Sequence, residues 1–531
     1  MIKTGTEIRI ETEFSSWPGP DGSPLTPFEW YMVEDDSPNR PMTISFVWLL
    51  IGNIDVMRWQ TALDSVVKLH PLLLCGIEKV NGPSRYRWVN RSDRLVIWEF
   101  NETNNNKTNV PPTWQNVDLL KSNGAKVAIV RRRNDWLLVL TVHHAITDGI
   151  GGFEFCSDLF ERYRSLQSSS HDSNVVDNII VDNIIVDNIQ VDKNGWAQSE
   201  NQLLTNPRVR RNERTKSISV PLLDERELLD RSIPHPVSRW TVIKALSLEA
   251  YQLFCRPSWT IKNDSTVRGT RRERGNPTPS TPTLSEVQQA GSQNFGLAFQ
   301  LHPIFFDEDE TEGFRRTSTD LGCSPHELLL ASCLKVFADH RIDGEGKPKG
   351  WIAAVIPVNM RLTRDQRSPC HNGIGYAIIK RSMVDCQRVS LNAKTIVTDF
   401  KAIQRWHLAG LFVDGLRILR RFPVWFSRWV IRNSRPGTFV LSFIGDPARR
   451  FPCRFRDIGT GLDLQDCHVV DLAGAPPTRP GTEVALLASF FRNRFTVWLR
   501  TDGNSIDDAT VECLINRIRS AVRATMTEKT S

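Results

Sequence analysis

Two stretches in the first third of the chain are too continuously apolar for a strand that faces water. Residues 44–51 and 136–142 consist almost wholly of aliphatic and aromatic side chains, many of them β-branched. Such short runs predict strands that are covered on both faces. A weaker strand pattern occurs in three further segments, at 86–89, 95–100 and 126–131.

Helical periodicity separates these strands. From Val56 the apolar positions recur at helical spacing through Trp59, Leu63 and Val66, and a helix at about 151–164 should follow the second apolar run. In the second half the patterns predict helices near 325–340, 391–408, 411–432 and 505–524, and strands at 295–306, 351–357, 438–444, 484–491 and 495–500. Both halves mix the two element types, so the predicted fold class is α/β or α+β.

The chain has 531 residues, more than a single hydrophobic core usually organises, which predicts two lobes. Between them a Val-Asp-Asn-Ile-Ile repeat begins at Val176 and again at Val181. Its period of five matches neither a helix nor a strand, so an insertion in a surface loop is expected. The predicted divisions are a loose lead-in at 1–24, a first lobe at 25–165, a low-complexity insertion at 166–217, a helical crossover and linker at 218–293, and a second lobe at 294–531.

Charge and cysteine usage narrow the function classes. The net charge is +7, with clustered arginines, which favours an anionic partner such as a phosphorylated co-substrate, an acidic carrier protein or a membrane surface. Zinc-finger spacing, RNA-recognition signatures and basic heptads are absent from the sequence, so nucleic acid is not expected. The ten cysteines are scattered singly, and no apolar run reaches the ~20 residues that span a bilayer. A cytoplasmic protein, in peripheral contact with membrane at most, is expected.

The candidate chemistry lies where the second apolar run ends, in His143-His144-Ala145-Ile146-Thr147-Asp148-Gly149. Neutral imidazole is well matched to taking a proton near pH 7, and adjacent histidines on an extended backbone should face opposite sides. Asp148 is expected to brace the turn or orient the imidazole, and Gly149 to let the chain reverse tightly. The alternatives are a chance or satisfied core pair and a metal site. A metal site is disfavoured because ligands four residues apart need a helix.

The motif resembles the HHxxxDG signature of acyltransferases related to chloramphenicol acetyltransferase, which include condensation domains and wax ester synthase/diacylglycerol acyltransferases. The resemblance extends to the segments at 24–44, 357–361, 438–446 and 476–482. It implies two lobes arranged as a V with a tunnel between them. It also implies that His144 is the general base, that the acceptor attacks an acyl thioester directly, and that an arginine holds Asp148 in a structural role.

This sequence departs from the family pattern at several positions. Leu74 stands where condensation-type members have an arginine, so Arg361 is hypothesised as the replacement partner of Asp148. His326-Glu327 stands loosely where wax ester synthases have Asn-Asp, and Phe443 replaces the asparagine of Ser-Asn-x-Gly. The Asp-Phe-Gly-Trp-Gly motif of plant alcohol acyltransferases is absent. These departures leave the branch of the superfamily open.

The expected activity is acyl transfer from a thioester to a hydroxyl or amine of a small-molecule or lipid acceptor. The co-substrate would be acyl-CoA or an acyl-carrier thioester, with no bound cofactor and no metal. Ser442 or a nearby backbone N–H would stabilise the negative charge that develops on the carbonyl. The alternatives are a condensation enzyme that uses a carrier protein in trans, and a non-catalytic descendant that binds an acyl ligand or a partner.

The segment at 411–432 interleaves aromatic and arginine residues at helical spacing. A basic, aromatic amphipathic helix is typical of interfacial membrane contact. The alternative is a helix that packs its aromatic face on the second lobe. Pro423 is expected to kink it.

Overall fold

The computed structural model describes most of the two halves that flank the low-complexity insertion. Its described residues are 21–38, 40–81, 85–91, 93–101, 116–171, 258–261, 301–345, 350–361, 369–447, 462–501 and 505–527. Most of the lead-in, nearly all of the insertion and crossover, and the first six residues of the strand predicted at 295–306 lie outside these ranges.

The described elements alternate strands and helices in both halves. In the first half they are α1 (Pro27–Asp35), β1 (Thr43–Gly52), α2 (Val56–Val66), β2 (Cys75–Lys79), β3 (Tyr86–Asn90), β4 (Ile97–Asn101), β5 (Ala125–Arg131), β6 (Trp136–His143) and α3 (Gly149–His171). In the second half they are β7 (Leu301–Phe305), α4 (Glu308–Asp320), α5 (Pro325–Glu345), β8 (Trp351–Asn359), β9 (Ile374–Ser382), α6 (Val389–Arg405), α7 (Leu408–Leu419), α8 (Val424–Asn433), β10 (Phe439–Gly445), β11 (Leu462–Asp463), β12 (Cys467–Ala475), β13 (Val484–Phe491), β14 (Arg494–Thr501) and α9 (Asp508–Thr527).

The first six-stranded sheet has the order β11-β12-β1-β6-β5-β4. Its centre is the antiparallel pair of β1 and β6, which are the two apolar runs of the sequence. Alternate side chains of β1 serve different faces. Phe46 and Trp48 pack against Phe153 of α3, whereas Val47 and Leu49 pack toward the second sheet. Because both faces are covered, neither needs polar residues, which explains the continuous apolar pattern.

The second six-stranded sheet has the order β7-β14-β13-β10-β8-β9. Strand β10 is parallel to both of its neighbours, β8 and β13, and the other pairs are antiparallel. One face packs on the second-half helices, and Leu487 and Trp498 on the other face join the cluster that contains Val47 and Leu49 of the first sheet. The mixed α and β architecture predicted from the sequence is confirmed. The V shape and the tunnel stay predictions.

The described elements differ from the predicted ones in three respects. Residues 462–475, in the second half of the chain, supply β11 and β12 to the edge of the first sheet, where β12 pairs with β1. The helix expected at 411–432 is two helices, α7 and α8, because Pro423 interrupts it. Strands β2, β9, β11 and β12 and helix α4 have no counterpart in the predicted elements.

Among the described residues, no helix combines the length and apolar character that are needed to cross a bilayer.

Candidate active site

The motif occupies the connection from β6 to α3. Strand β6 ends at His143, which is opposite Thr43 of β1, and α3 begins at Gly149. The backbone N–H of His144 donates to the carbonyl of Met42 over 2.7 Å, so the residue after the strand stays tied to the start of β1. A rigid strand end therefore fixes the backbone that carries both histidines.

The ring of His144 is held in one tautomer. Its Nδ1 lies 3.0 Å from the carbonyl oxygen of Thr147, and because a carbonyl only accepts, Nδ1 carries the proton. Nε2 is then the unprotonated nitrogen, and no described residue makes a hydrogen bond to it. The residue is only 3 % exposed, and burial lowers its pKa, so the imidazole is neutral near pH 7.

His143 has the opposite tautomer and different neighbours. Its Nδ1 accepts a hydrogen bond from the backbone N–H of Ala145 over 3.1 Å, so its proton lies on Nε2, 3.9 Å from Oδ2 of Asp36. Burial, together with neighbouring His144, lowers the pKa of His143 to about 3. Burial likewise raises the pKa of Asp36 to about 6. With both ring nitrogens directed at neighbours, His143 supports the loop rather than presenting a free lone pair.

Asp148 caps α3 and anchors an arginine from the second half. Its Oδ1 accepts from the backbone N–H of Gly151 over 2.9 Å, which caps the first turn of the helix. Arg361 donates to both carboxylate oxygens, over 2.8 Å and 3.0 Å, and the N–H of Gly373 donates to Oδ2 over 2.8 Å. Burial disfavours the ionised carboxylate, but Arg361 outweighs it and the pKa falls to about 2. The contact of Arg361 with Asp148, hypothesised from the sequence, is present.

The segment at 370–373 was missed by sequence reasoning, although it packs directly on the motif. Nδ2 of Asn372 donates to the carbonyl of His144 over 2.6 Å. The backbone N–H of Cys370 donates to Nδ1 of His70 over 3.0 Å, and Nε2 of His70 bonds Asp158 of α3 over 3.0 Å. A polar His-Asn-Gly run just before β9 was the available signal, but nothing local in the sequence connects it with residue 144.

The role expected for Gly149 is wrong. Gly149 has no positive φ, and a side chain there would meet no atom within 4 Å. The turn needs no glycine at this position because Asp148 caps the helix. Close packing instead requires glycine at the next two glycine positions. A Cβ on Gly151 would collide with the Thr147 hydroxyl and crowd the backbone of His371, and a Cβ on Gly152 would collide with the ring of Phe46. Gly149 instead leaves space open beside the start of α3.

Ser442 lies on β10, paired in register with Leu487. Among the described residues, none makes a hydrogen bond to its hydroxyl. Phe443, next to it, stacks on the ring of His326 with centroids 5.1 Å apart. Glu327, beside His326, completes a capping box with Ser324 at the start of α5.

A cavity of about 30 Å³ is lined by residues of both halves. Its lining includes Tyr31 and Met42 from the first half and Val355, Tyr376 and Val440 from the second. Met42 also supplies the carbonyl that binds the N–H of His144, so the cavity and the histidine share one wall residue.

No family model matches the chain, and no curated protein does. Solved structures, in contrast, do match the chain. TRI3 trichothecene 15-O-acetyltransferase from Fusarium sporotrichioides has a TM-score of 0.59 at 12% identity, covering 94% of both chains. Polyketide synthase associated protein 5 from Mycobacterium tuberculosis has a TM-score of 0.55 at 14% identity, over 95% of this chain and 98% of that one. The starter condensation domain of rhizomide synthetase, solved as a mutant with C8-CoA and Leu-SNAC, has a TM-score of 0.54 at 10% identity, over 96% and 95%.

These similarities cover nearly the whole chain at low identity, so they establish the fold. The chain has the fold shared by condensation domains and chloramphenicol-acetyltransferase-like acyltransferases, as the motif predicted.

Proposed function

We propose that the protein is an acyltransferase that moves an acyl group from a thioester to a hydroxyl or amine acceptor, with His144 as general base. The observation that carries the proposal is the tautomer of His144. Because Nδ1–H is committed to the Thr147 carbonyl, the basic lone pair is on Nε2, which no described residue occupies. The proposal also draws on the fold, because proteins of similar structure include an acetyltransferase and a condensation domain.

The proposed reaction is a direct displacement. Nε2 of His144 takes the proton from the acceptor O–H or N–H as that atom attacks the thioester carbonyl. The tetrahedral intermediate then expels the sulfur, the carbon–sulfur bond breaks, and the imidazolium returns its proton to the leaving thiolate. The products are an ester or amide and a free thiol. Asp148 does not exchange a proton, because its carboxylate is held ionised by Arg361, and it acts as a positioning residue.

Two features of the reaction belong to the same proposal. The donor is acyl-CoA, by analogy with the condensation domain solved with C8-CoA, with an acyl carrier protein as the alternative. Negative charge on the attacked carbonyl needs donors, and Ser442 or the backbone N–H groups at the open start of α3 are the candidates.

The test is thiol release from acyl-CoA across a panel of alcohols, diacylglycerol and amines, comparing wild type with His144→Ala. Loss of the base should slow release by roughly 10²–10⁴-fold. The matched control is His407→Asn. His407 is exposed and has φ +50°, a conformation that asparagine tolerates, so this variant should retain the wild-type rate.

The outcomes separate the alternatives. If His144→Ala releases thiol as fast as wild type, His144 is not the base. If wild type releases thiol only from acyl carrier protein, the donor is carrier-bound. If it binds acyl-CoA but transfers to no acceptor and to water no faster than buffer does, the protein is an acyl-binding descendant of the fold.

We further propose that α7 and α8 contact an anionic membrane surface. Leu411, Val413 and Leu416 of α7 are buried, and the last two belong to the core cluster of the first half, whereas the aromatic residues from Phe422 to Trp429 include exposed rings. Phe422, Trp425 and Trp429 are 48 %, 72 % and 54 % exposed, and Arg421 and Arg432 are exposed beside them. Aromatic rings with flanking cations are suited to the interface of an anionic bilayer.

Sedimentation with vesicles tests this contact. Wild type should sediment with vesicles containing phosphatidylserine, and Trp425→Ala/Trp429→Ala should bind them several-fold more weakly because apolar area at the interface is lost. Trp98→Ala, an exposed tryptophan of the first sheet, is the matched control and should bind like wild type. Equal binding by wild type and the double variant would contradict the assignment.

A further inference from the structure

Arg500 lies on the face of the second sheet that looks toward the first. It stands on β14 two residues after Trp498, which packs with Val47 and Leu49 of β1, and side chains two residues apart on a strand share a face. Its Nη1 donates to the carbonyl of Thr43 over 3.0 Å. The guanidinium therefore crosses from the second half to the first at the start of β1.

This position is next to the proposed reaction site. Thr43 is paired in register with His143, and the residue before it, Met42, binds the backbone of His144. The cross-strand register also places Arg500 in one row with Ala485, Val440 and Val355, and the last two line the inter-half cavity. With strands about 4.8 Å apart, Arg500 stands roughly 10 Å along the sheet from the cavity wall at Val440.

Among the residues that the structure describes, none balances the charge of Arg500. The residue is 7 % exposed, and among the described residues no carboxylate pairs with it. Glu483, an acidic residue near the same end of the sheet, is instead paired with Arg40 over 2.9 Å. Burial lowers the pKa of Arg500 to about 10, which leaves it charged at neutral pH. A buried cation without a partner is costly, so its retention calls for an anion that arrives with a ligand.

The hydrogen bonding of Arg500 leaves room for such a ligand. A guanidinium has five N–H donors, and the hydrogen bond it makes to a described residue goes to Thr43. Among the described residues, none of the Arg500 side-chain nitrogens is both buried from solvent and without a hydrogen-bond partner. If the role were only to join the halves through one carbonyl, a neutral donor would suffice without the cost of burying a charge.

We propose that Arg500 binds an anionic oxygen group, a carboxylate or a phosphate, on a substrate held between the two halves. The inference rests on the proposed acyl transfer only in treating the bound molecule as a substrate. Binding of the anion does not depend on turnover. A carboxylate would come from the acceptor or the acyl chain, and a phosphate from a CoA-type donor. In either case the planar guanidinium offers two parallel donors to the group.

The test measures binding to wild type, Arg500→Met and Arg500→Lys, using two matched pairs of probes. Coenzyme A and pantetheine share the pantetheine arm, but only coenzyme A carries phosphates. Octanoate and octanol share the alkyl chain, but only octanoate carries a carboxylate. For the source that is correct, Arg500→Met should bind the anionic probe about 10–100-fold more weakly and its neutral counterpart unchanged. Arg500→Lys should recover part of the loss. Loss for coenzyme A alone identifies a phosphate, and loss for octanoate alone a carboxylate.

Three results would overturn the inference. The first is that wild type binds neither anion at millimolar concentration, and the second is that Arg500→Met binds both as wild type does. The third is an equal loss for charged and neutral probes, which is what a purely structural link would produce. Repeating the titrations in His144→Ala separates the two proposals, because discrimination between the probes should persist there whatever happens to turnover.

Discussion

Arg361 and Arg500 both come from the second half of the chain, both are largely buried, and both reach the backbone around the motif. They differ in the groups that pair with the guanidinium charge. Arg361 makes a two-pronged pair with Asp148 and also donates to the carbonyl of His371, whereas Arg500 has a backbone carbonyl and no described carboxylate. A compensated cation is part of the protein's own architecture. The uncompensated cation, Arg500, is the one that we propose to be paired by an anionic group of a bound substrate.

The comparison predicts its largest effect at the compensated pair. Arg361→Met leaves the Asp148 carboxylate buried without its partner, which should cost about 3–5 kcal/mol of unfolding free energy. Activity should also collapse, because Asp148 holds the start of α3 and the segment at 370–373 around His144. Adding Asp148→Asn removes the unpaired charge and should restore part of the stability. Urea unfolding of the two single variants and the double variant measures the coupling.

Arg500→Met is the matched comparison in the same experiment. It gives up one hydrogen bond, worth about 1 kcal/mol, but it also removes the cost of an unpaired charge, so the net change should stay within about 1 kcal/mol of wild type. If Arg500→Met proves as destabilising as Arg361→Met, both arginines are structural and the distinction fails.

A smaller effect is expected from pH. The pKa of Asp148 is about 2 and that of Arg500 is about 10, so both groups keep their charges from pH 5 to 8. Neither group therefore contributes to the pH dependence of activity in this range. The imidazole of His144 acts in its neutral form, and burial lowers its pKa. Activity should therefore persist as the pH falls to 6.5 and be lost only below it. A profile of kcat/KM measures this, and an acid limb centred at pH 7 or above would contradict the assignment.

The parts of the site that follow one another along the chain were predictable. The strand before the motif was visible because both of its faces are buried, and the candidate base followed from its position at the strand end. The partnership of Arg361 with Asp148 was reached through the family resemblance, since the two residues are 213 positions apart. Asn372 was missed because its contact with His144 depends on tertiary packing, which leaves no periodic trace in the sequence.

The limits of local pattern also explain why strand β12 was not predicted. Residues 467–475 carry polar side chains among the apolar ones and lie between second-half elements in the sequence. The local sequence therefore does not indicate that they pair with a strand of the first half. Gly149 was misjudged for the opposite reason. The Asp-Gly dipeptide usually marks a turn that needs a left-handed residue, but here the aspartate caps a helix instead.

The pairing of β12 with β1 has a consequence for how the molecule is made. Ser45 pairs with Ala475, so strand β1 lacks this partner until the segment around residue 475 has left the ribosome. Contacts of such long sequence separation form slowly and leave a strand edge open to wrong partners in the meantime. The first half therefore cannot mature as an autonomous unit ahead of the second. Biosynthesis should pass through a late step in which one segment of the second half completes the first sheet beside the motif.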